Sequence, residues 1–562
     1  MQEPDSDSLF NSIRPQRGEG RVFGEIEEIE VAEETEAMVD QVAASRGWEG
    51  DWPKSTKYVV WNEFCERFSF YGLKTILALF MLDFLHLSET SSTELVHLFI
   101  VICYATPLLG AVLSDGVLGK YRTILYLSIV YAVGNWVLTA AALPDTSKPA
   151  GQRTAFWATA CGLFLIALGT GGIKPCVSAF GGDQIEGTIP EGPVRDRIQR
   201  SFFSLYYAAI NAGAVISTVL TPLLREYYAY SIAFSVPALL MMVALFIFWS
   251  GQKFYVDRAP EGNIFGEVGL IVYDAIKLQV TSKKPNPERQ PLLNPDKTDA
   301  DRKREEKSKS FLDIAKPKHG NDRVEDIKGL IQVVIVLLPT PLFWSLSDQQ
   351  SSKWIFQGAD MKLDIPWLGG VVVQPDQMQA LNPILILVLI PLFDQLIYPF
   401  FENRGVPLKP IPRMWMGLVL SAVAFVNSGL LQIWIDTSPA DSVSILWQIP
   451  QNVIVTAGEI LFSITGLEFA YSQAPASMKS IVMSIWLFTV AGGNIFTIII
   501  VAGVGTSLSK ANEFFFFAVL AMVAVFAMIW LSSGFSYKHE AYVTDPEDPH
   551  HVSSEEIASS MT

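Results

Sequence analysis

Asn62-Glu63-Phe64-Cys65-Glu66-Arg67-Phe68-Ser69-Phe70-Tyr71-Gly72-Leu73-Lys74-Thr75 sets two glutamates, an arginine and a lysine inside an apolar run from near Tyr58 to Leu85. At about 100° per residue on a helix, Glu63, Glu66, Arg67, Phe70, Tyr71 and Lys74 share one face. An ionised side chain at mid-bilayer costs roughly 2.5–3.5 kcal/mol on insertion scales, so such residues face a cavity or one another and mark function. The run therefore reads as a membrane span with one wet face, the wall of a polar pathway. An ion-paired packing seam between helices is the plainer alternative, but four charges exceed what packing needs.

The rest of the chain agrees with a membrane setting. Half of its 562 residues are apolar and only 17% are charged. The apolar residues gather into runs of about 20, the length of a transmembrane helix. Twelve such spans are expected, starting near residues 58, 93, 121, 155, 202, 231, 328, 377, 412, 445, 478 and 510. No cleavable signal peptide is expected, because the first 50 residues are polar and acidic. Residues 1–53 hold 14 acidic and 4 basic side chains, and 538–562 hold 6 and 1. The net charge of −16 thus lies almost wholly in the tails and says nothing about a substrate. Acidic tails of low hydrophobicity are expected to be solvated and disordered. Cys65, Cys103, Cys161 and Cys176 all fall within expected spans, where thiols serve as small packing residues, so neither disulfides nor a metal site is implied.

Loop charges orient the chain. With both termini cytoplasmic, the short inside loops carry nine Lys and Arg residues against six outside, in line with the positive-inside rule. The 252–327 connection, basic around Lys297–Lys309, then also lies inside and divides the spans six and six. Two six-helix halves rocking about a midplane site is the architecture of the major facilitator transporters. The expected organisation is a tail (1–53), an N-terminal bundle (54–251), a linker (252–327), a C-terminal bundle (328–535) and a second tail (536–562). Within the linker, Ser310–Lys328 has the pattern of an amphipathic helix lying on the membrane surface.

Several polar residues fall at membrane depth. Gly169-Thr-Gly-Gly-Ile-Lys174 lacks the strand before it that a phosphate loop needs, so its glycines are read as helix-packing positions and Lys174 as facing the cavity. His97 is the histidine well inside a span, and its imidazole, titrating near pH 6.5, suits proton coupling. A neutral histidine bonded across helices is the alternative. Asp348 and Lys353 fall toward the outer end of span seven, and Glu459 lies midway along span ten. Asn211 and Asn382 add amide donors and acceptors.

With these motifs in order, the chain resembles the proton-coupled oligopeptide transporters, and most of all their animal-type members. Glu63-x-x-Glu66-Arg67-Phe68 is similar to that family's first-span signature, and Gly110–Thr123 and Phe203–Gly213 to its two others. Gly169–Gln184, Trp344–Gln350 and Gly466–Pro475 are also similar, and the likeness runs from about residue 57 to 535. Three departures stand out. Ile435 to Leu446 leaves only a short loop where the animal proteins carry a large extracellular domain, Gln332 stands where the family often has arginine, and Lys74 replaces another arginine. The last change keeps the charge but loses the bidentate fork.

The resemblance implies an all-α membrane protein that carries di- and tripeptides with protons by alternating access. A peptide of any sequence presents an amine, a carboxylate and a backbone, so a general site needs opposed charges. Arg67 and Lys174 are expected at the carboxylate end, and Glu459, Asn211 and Asn382 at the amine end. Tyr71, Tyr104, Trp344 and Trp486 are expected to line side-chain pockets. Inner closure would pair Lys174 with Glu459. Outer closure would pair Lys74 with Asp348 and His97 with Ser352. His97 would load the proton and Glu63 or Glu66 receive it. Glu468 and Asp115 are placed near the inner face. A carrier of nitrate or another small solute, or a non-transporting peptide sensor, are the alternatives. No nucleophile–base set stands out, so an enzyme is not expected. Neither are a cofactor other than the coupling proton, a nucleic-acid partner or an oligomer. Residence in the plasma membrane is expected.

Overall fold

Lys54–Leu79 forms one unbroken helix, α1, extended by a π-helical turn over Phe80–Phe84. Its apolar positions run through Leu73, Ile76, Leu77 and Phe80, each fully buried against the neighbouring helices. The computed structural model describes residues 52–258 and 316–535, except 367–368, 406–407, 476–477 and 505–506, together with residues 270, 271, 273, 274, 277, 312 and 313. Both acidic tails, apart from Trp52 and Pro53, and most of the linker, Lys283–Lys309 included, lie outside the described residues.

Among the described residues, ten helices and one bent pair after α1 are long and apolar enough to cross a bilayer, whereas α1 itself, with its charges, falls outside that count. The single helices are α2 (Glu89–Leu118), α3 (Lys120–Ala141), α4 (Pro149–Glu186), α5 (Val194–Tyr227), α6 (Tyr230–Phe254), α8 (Pro375–Glu402), α9 (Pro410–Thr437), α10 (Ile445–Gln473), α11 (Ile481–Gly503) and α12 (Lys510–Ser532). The seventh, α7, is a pair, Asn321–Leu337 and Thr340–Ala359, bent by 43° at Leu338-Pro339. That bend is what proline does to a helix interior, by removing a donor and crowding the preceding turn. At 1.5 Å per residue the 38 residues of α4 reach about 57 Å, well beyond the ~30 Å hydrocarbon core, so this helix projects past the membrane.

Each half has a core, and Ile355, Phe356 and Val490 of the second half join that of the first. In the first, α3 packs along α4, and α1 lies between α5 and α6. In the second, α9 packs on α12 and α10, and α7 on α11. Phe343 of α7 stacks on Phe462 of α10 with ring centroids 4.2 Å apart. Glycine permits the closest approaches: a Cβ on Gly110 would fall inside the Gly172 carbonyl, and one on Gly171 inside the Thr106 hydroxyl. The Gly169–Gly172 stretch is thus a packing seam of α4 against α2 and α3. The α9–α10 crossing is also close, with Gly417 and Gly458 each facing the other's carbonyl.

In the connection between the halves, residues 310, 311, 314 and 315 of the expected amphipathic stretch Ser310–Lys328 lie outside the described residues. A short helix, Lys316–His319, ends at Gly320 (φ 86°), and α7 has already begun at Asn321. At the opposite end, which the loop charges assign to the outside, α7 joins α8 through a hairpin of β1 (Asp364–Ile365) and β2 (Val371–Val372). Its turn needs Gly369 and Gly370 at φ 74° and 78°. Only a short loop links α9 to α10, paired to Lys362 at Ser444.

Candidate substrate cavity

Little more than one turn of α1 carries the charge cluster. Arg67 Nε lies 2.7 Å from Glu63 Oε1 and 2.8 Å from Glu66 Oε2, and all three side chains are buried. The four-residue spacing sets Glu63 beside Arg67, whose guanidinium also reaches the adjacent Glu66, so one cation is shared by two carboxylates. Thr170 donates to Glu66 Oε1 at 3.0 Å, which places the polar residue of the α4 glycine stretch against the cluster. Arg67 Nη1 is buried and donates to no partner here. A buried guanidinium N–H left unpaired is costly unless something else binds it.

Above this cluster lies a cavity of about 200 Å³ between the halves. Tyr71, Lys74, Tyr104 and Asn211 line it from the first half, and Trp344, Asp348, Asn382 and Glu459 from the second. Asn382 donates to Glu459 Oε2 at 2.6 Å, and Asn211 donates to its own helix at Tyr207 O. Glu459 occupies the last α-helical position before a π-helical turn, Ile460–Ile464, and such turns often re-aim side chains at functional sites. Arg67 and Lys174 stand behind the wall rather than in it: Lys174 Nζ lies 3.8 Å from the centre of the Tyr104 ring, a cation–π contact across the cavity lining. Lys174 and Glu459, which the sequence reading pairs, are not brought together.

Trp486 corrects another expectation. It lies in the core of the second half, 1% exposed, edge-on to Trp344 and seated against Gly466, where a Cβ would strike the indole. Aromatic residues in a span look alike in sequence whether they face a cavity or a neighbouring helix, and the glycine opposite decides.

The end of the cavity that the loop charges assign to the outside is shut by polar contacts between the halves. Lys74 Nζ stands 3.7 Å from Asp348 Oδ1. His97, fully buried, meets Ser352 Oγ through Nε2 at 3.0 Å and Asn494 Oδ1 through Nδ1 at 2.5 Å. Both N–H groups of Asn494 are engaged, with Asp348 Oδ2 at 2.7 Å and Val490 O at 2.9 Å. Its oxygen therefore faces His97, so Nδ1 must carry the imidazole proton and Nε2 accepts from Ser352. Sequence reasoning missed Asn494: a lone amide in an apolar helix carries no signal of its partner. It also missed Arg225 of α5, which reaches Asp376 at 3.2 Å and Gln374 at 3.1 Å on the entry to α8. Gln379 adds a bond to Thr75 O of α1 at 3.1 Å. Among the described residues, no group of three or more His, Cys, Asp or Glu side chains is arranged to hold a metal ion.

Comparison with known proteins agrees with this geometry. Residues 121–515 match the POT family. Solute carrier family 15 member 2 of Danio rerio is 32% identical, over an alignment covering 84% of this chain and 89% of the relative. That alignment spans 676 positions, more than the 562 residues present here, so the relative carries sequence without a counterpart in this chain. Peptide transporter family 1 of Drosophila melanogaster is 30% identical, with 88% and 89% covered. The in meso crystal structure of the POT family transporter PepTSo superposes with a TM-score of 0.71 at 30% identity, over 86% of this chain and 98% of that one. An auto-inhibited POT family peptide transporter gives 0.72 at 29%. With its helices, its half-and-half cavity and these matches in agreement, the chain belongs to the POT family and is a multi-pass membrane transporter of major facilitator fold, not an enzyme.

Proposed function

We infer that the chain is a proton-coupled symporter of di- and tripeptides, moving them by alternating access of its two halves. The observation that carries this reading is a pair of opposed charges at one cavity: Glu459 of α10 in its lining, and a buried Arg67 with an uncommitted Nη1 behind the Tyr71 wall on the α1 side. A peptide carboxylate would complete the coordination of Arg67, with Lys174 adding charge through a small swing off the Tyr104 ring. The amine would bind Glu459 and the Asn382 and Asn211 carbonyl oxygens. Tyr71, Tyr104 and Trp344 offer apolar surface that accepts varied side chains.

Proton entry is assigned to His97. Protonation at Nε2 removes the acceptor that Ser352 uses and adds a positive charge near Lys74, which weakens outer closure. Re-closure with peptide bound would carry the proton inward, with Glu63 or Glu66 receiving it. On the inner side, Lys174 would pair with Glu459 when the cavity opens outward, and an incoming amine would compete for that carboxylate. We assign the protein to the plasma membrane as a monomer in the lipid bilayer, and the loop charges support a cytoplasmic position for both termini.

Reconstituted protein should accumulate labelled dipeptide when the outside is made acidic, and unlabelled nitrate should not compete. Uptake that ignores an imposed pH difference would defeat the symport reading, and peptide binding without uptake would point to a sensor.

A further inference from the structure

Away from the cavity, one cation is shared between the halves at the outer rim. Lys510, the first residue of α12, holds Glu89 of α2 at 2.8 Å and Asp360 at the end of α7, also at 2.8 Å. Glu89 belongs to the first half, whereas Lys510 and Asp360 belong to the second. The arrangement is locally unfavourable for α12, because a cation in the first turn meets the positive end of the helix dipole. Ser509 caps the helix by accepting from Asn512 N–H, and Ser88 caps α2 by accepting from Ser91 N–H, so both helix starts are firmly placed. The outer part of α7 is tied to α12 a second time by the buried Lys353–Glu513 pair at 2.8 Å, directly after Ser352, the His97 partner.

We propose that Lys510 is a gating residue: a shared cation that latches α12 and α7 to α2 when the outer side is shut, and rests on Asp360 when it is open. Separation of the halves costs only the Glu89 contact, since Asp360 travels with Lys510 and leaves no bare ammonium. Asp360 thereby weakens the latch and keeps opening easy. The inference rests on alternating access of the two halves.

The consequence is a set of substitutions with opposite signs. Glu89→Gln removes the contact made only in the shut state and favours opening. Lys510→Gln favours opening further, because Glu89 and Asp360 then face each other, their oxygens no further apart than twice 2.8 Å, with no cation between. Asp360→Asn does the reverse: Lys510 has only Glu89 to pair with, and the shut state gains. A role confined to local folding of α12 would move all three the same way.

The test is a distance measurement between spin labels at Ser147→Cys and Ala440→Cys, both in exposed outer loops, with the exposed Cys161 changed to Ser, in the full chain reconstituted in vesicles without peptide. The shut fraction should rank Asp360→Asn above the unsubstituted protein, then Glu89→Gln, then Lys510→Gln. Partly exposed pairs of this kind shift an equilibrium by about two- to fivefold each. Movement of Asp360→Asn and Glu89→Gln in the same direction, or no movement in any variant, would overturn the proposal. Correct ranking in a protein that fails to accumulate peptide would instead fault the transport reading alone.

Discussion

Asn494→Ala strikes the outer gate at a fully buried bond between the halves. The substitution removes the oxygen that accepts from His97 Nδ1, and both residues are fully buried. It also removes a donor to Asp348, but that bond lies within the second half and is lost in every state, while Lys74 remains near Asp348. The state dependence therefore comes from His97 alone. With the outer side shut, its N–H is left without a partner in a dry site, a penalty of about 1–3 kcal/mol. With the outer side open, water reaches the ring and the penalty vanishes. The shut-to-open ratio should fall by about 5- to 150-fold. The same label pair at Ser147→Cys and Ala440→Cys reads this directly as growth of the long-distance population. A change below about twofold, one that a single lost surface contact could produce, would refute the assignment of this bond to the gate.

Four further outcomes follow from the geometry. Arg67→Lys keeps a charge for Glu63 and Glu66 but loses the free Nη1, so dipeptide uptake should fall at least tenfold with expression retained; near-normal uptake would exclude Arg67 as the carboxylate partner. Glu459→Gln should raise the concentration needed for half-maximal uptake of peptides with a free amine and leave that of N-acetylated peptides unchanged, measured by competition. His97→Ala should lose accumulation driven by an acid outside while retaining exchange of peptide between equal pools, and continued uphill transport would remove His97 from coupling. Gly171→Ala, whose Cβ would overlap the Thr106 hydroxyl, should lower stability by about 1–3 kcal/mol, seen as a fall in unfolding temperature in detergent.

Period and charge made the first helix legible before any coordinates. Glu63, Glu66 and Arg67 sit four and three residues apart or side by side, so helical geometry alone groups them. Hydropathy likewise marked where each span begins to within several residues, with the start of α7, at Asn321 rather than 328, among the larger errors. That error arose because Asp322, Arg323 and Glu325 are helical but polar, and hydropathy reports the bilayer boundary instead of the helix end. Contacts between the halves were legible only where the family resemblance supplied them. His97 and Asn494 are separated by 397 positions, and neither residue's neighbours betray the other. Lys510 and Arg225 looked like ordinary loop-edge cations, and nothing in their spacing indicated carboxylates from the other half. Trp486 failed for a related reason, since the direction of an aromatic ring depends on what lies opposite.

The crossing of α9 and α10 at Gly417 and Gly458 sets a mechanical condition on the cavity. Where two backbones touch with no side chains between them, sliding along the axis is blocked by the flanking residues, whereas rotation about the touching point meets little resistance. Glu459 is the next residue after that point, and the π-helical turn begins immediately beyond it. A hinge works like this: the inner arm of α10, through Thr465–Gln473, can sweep a wide arc while the carboxylate beside the axle barely moves. A passenger held by its amine would thus stay at one depth in the membrane while the walls around it change sides.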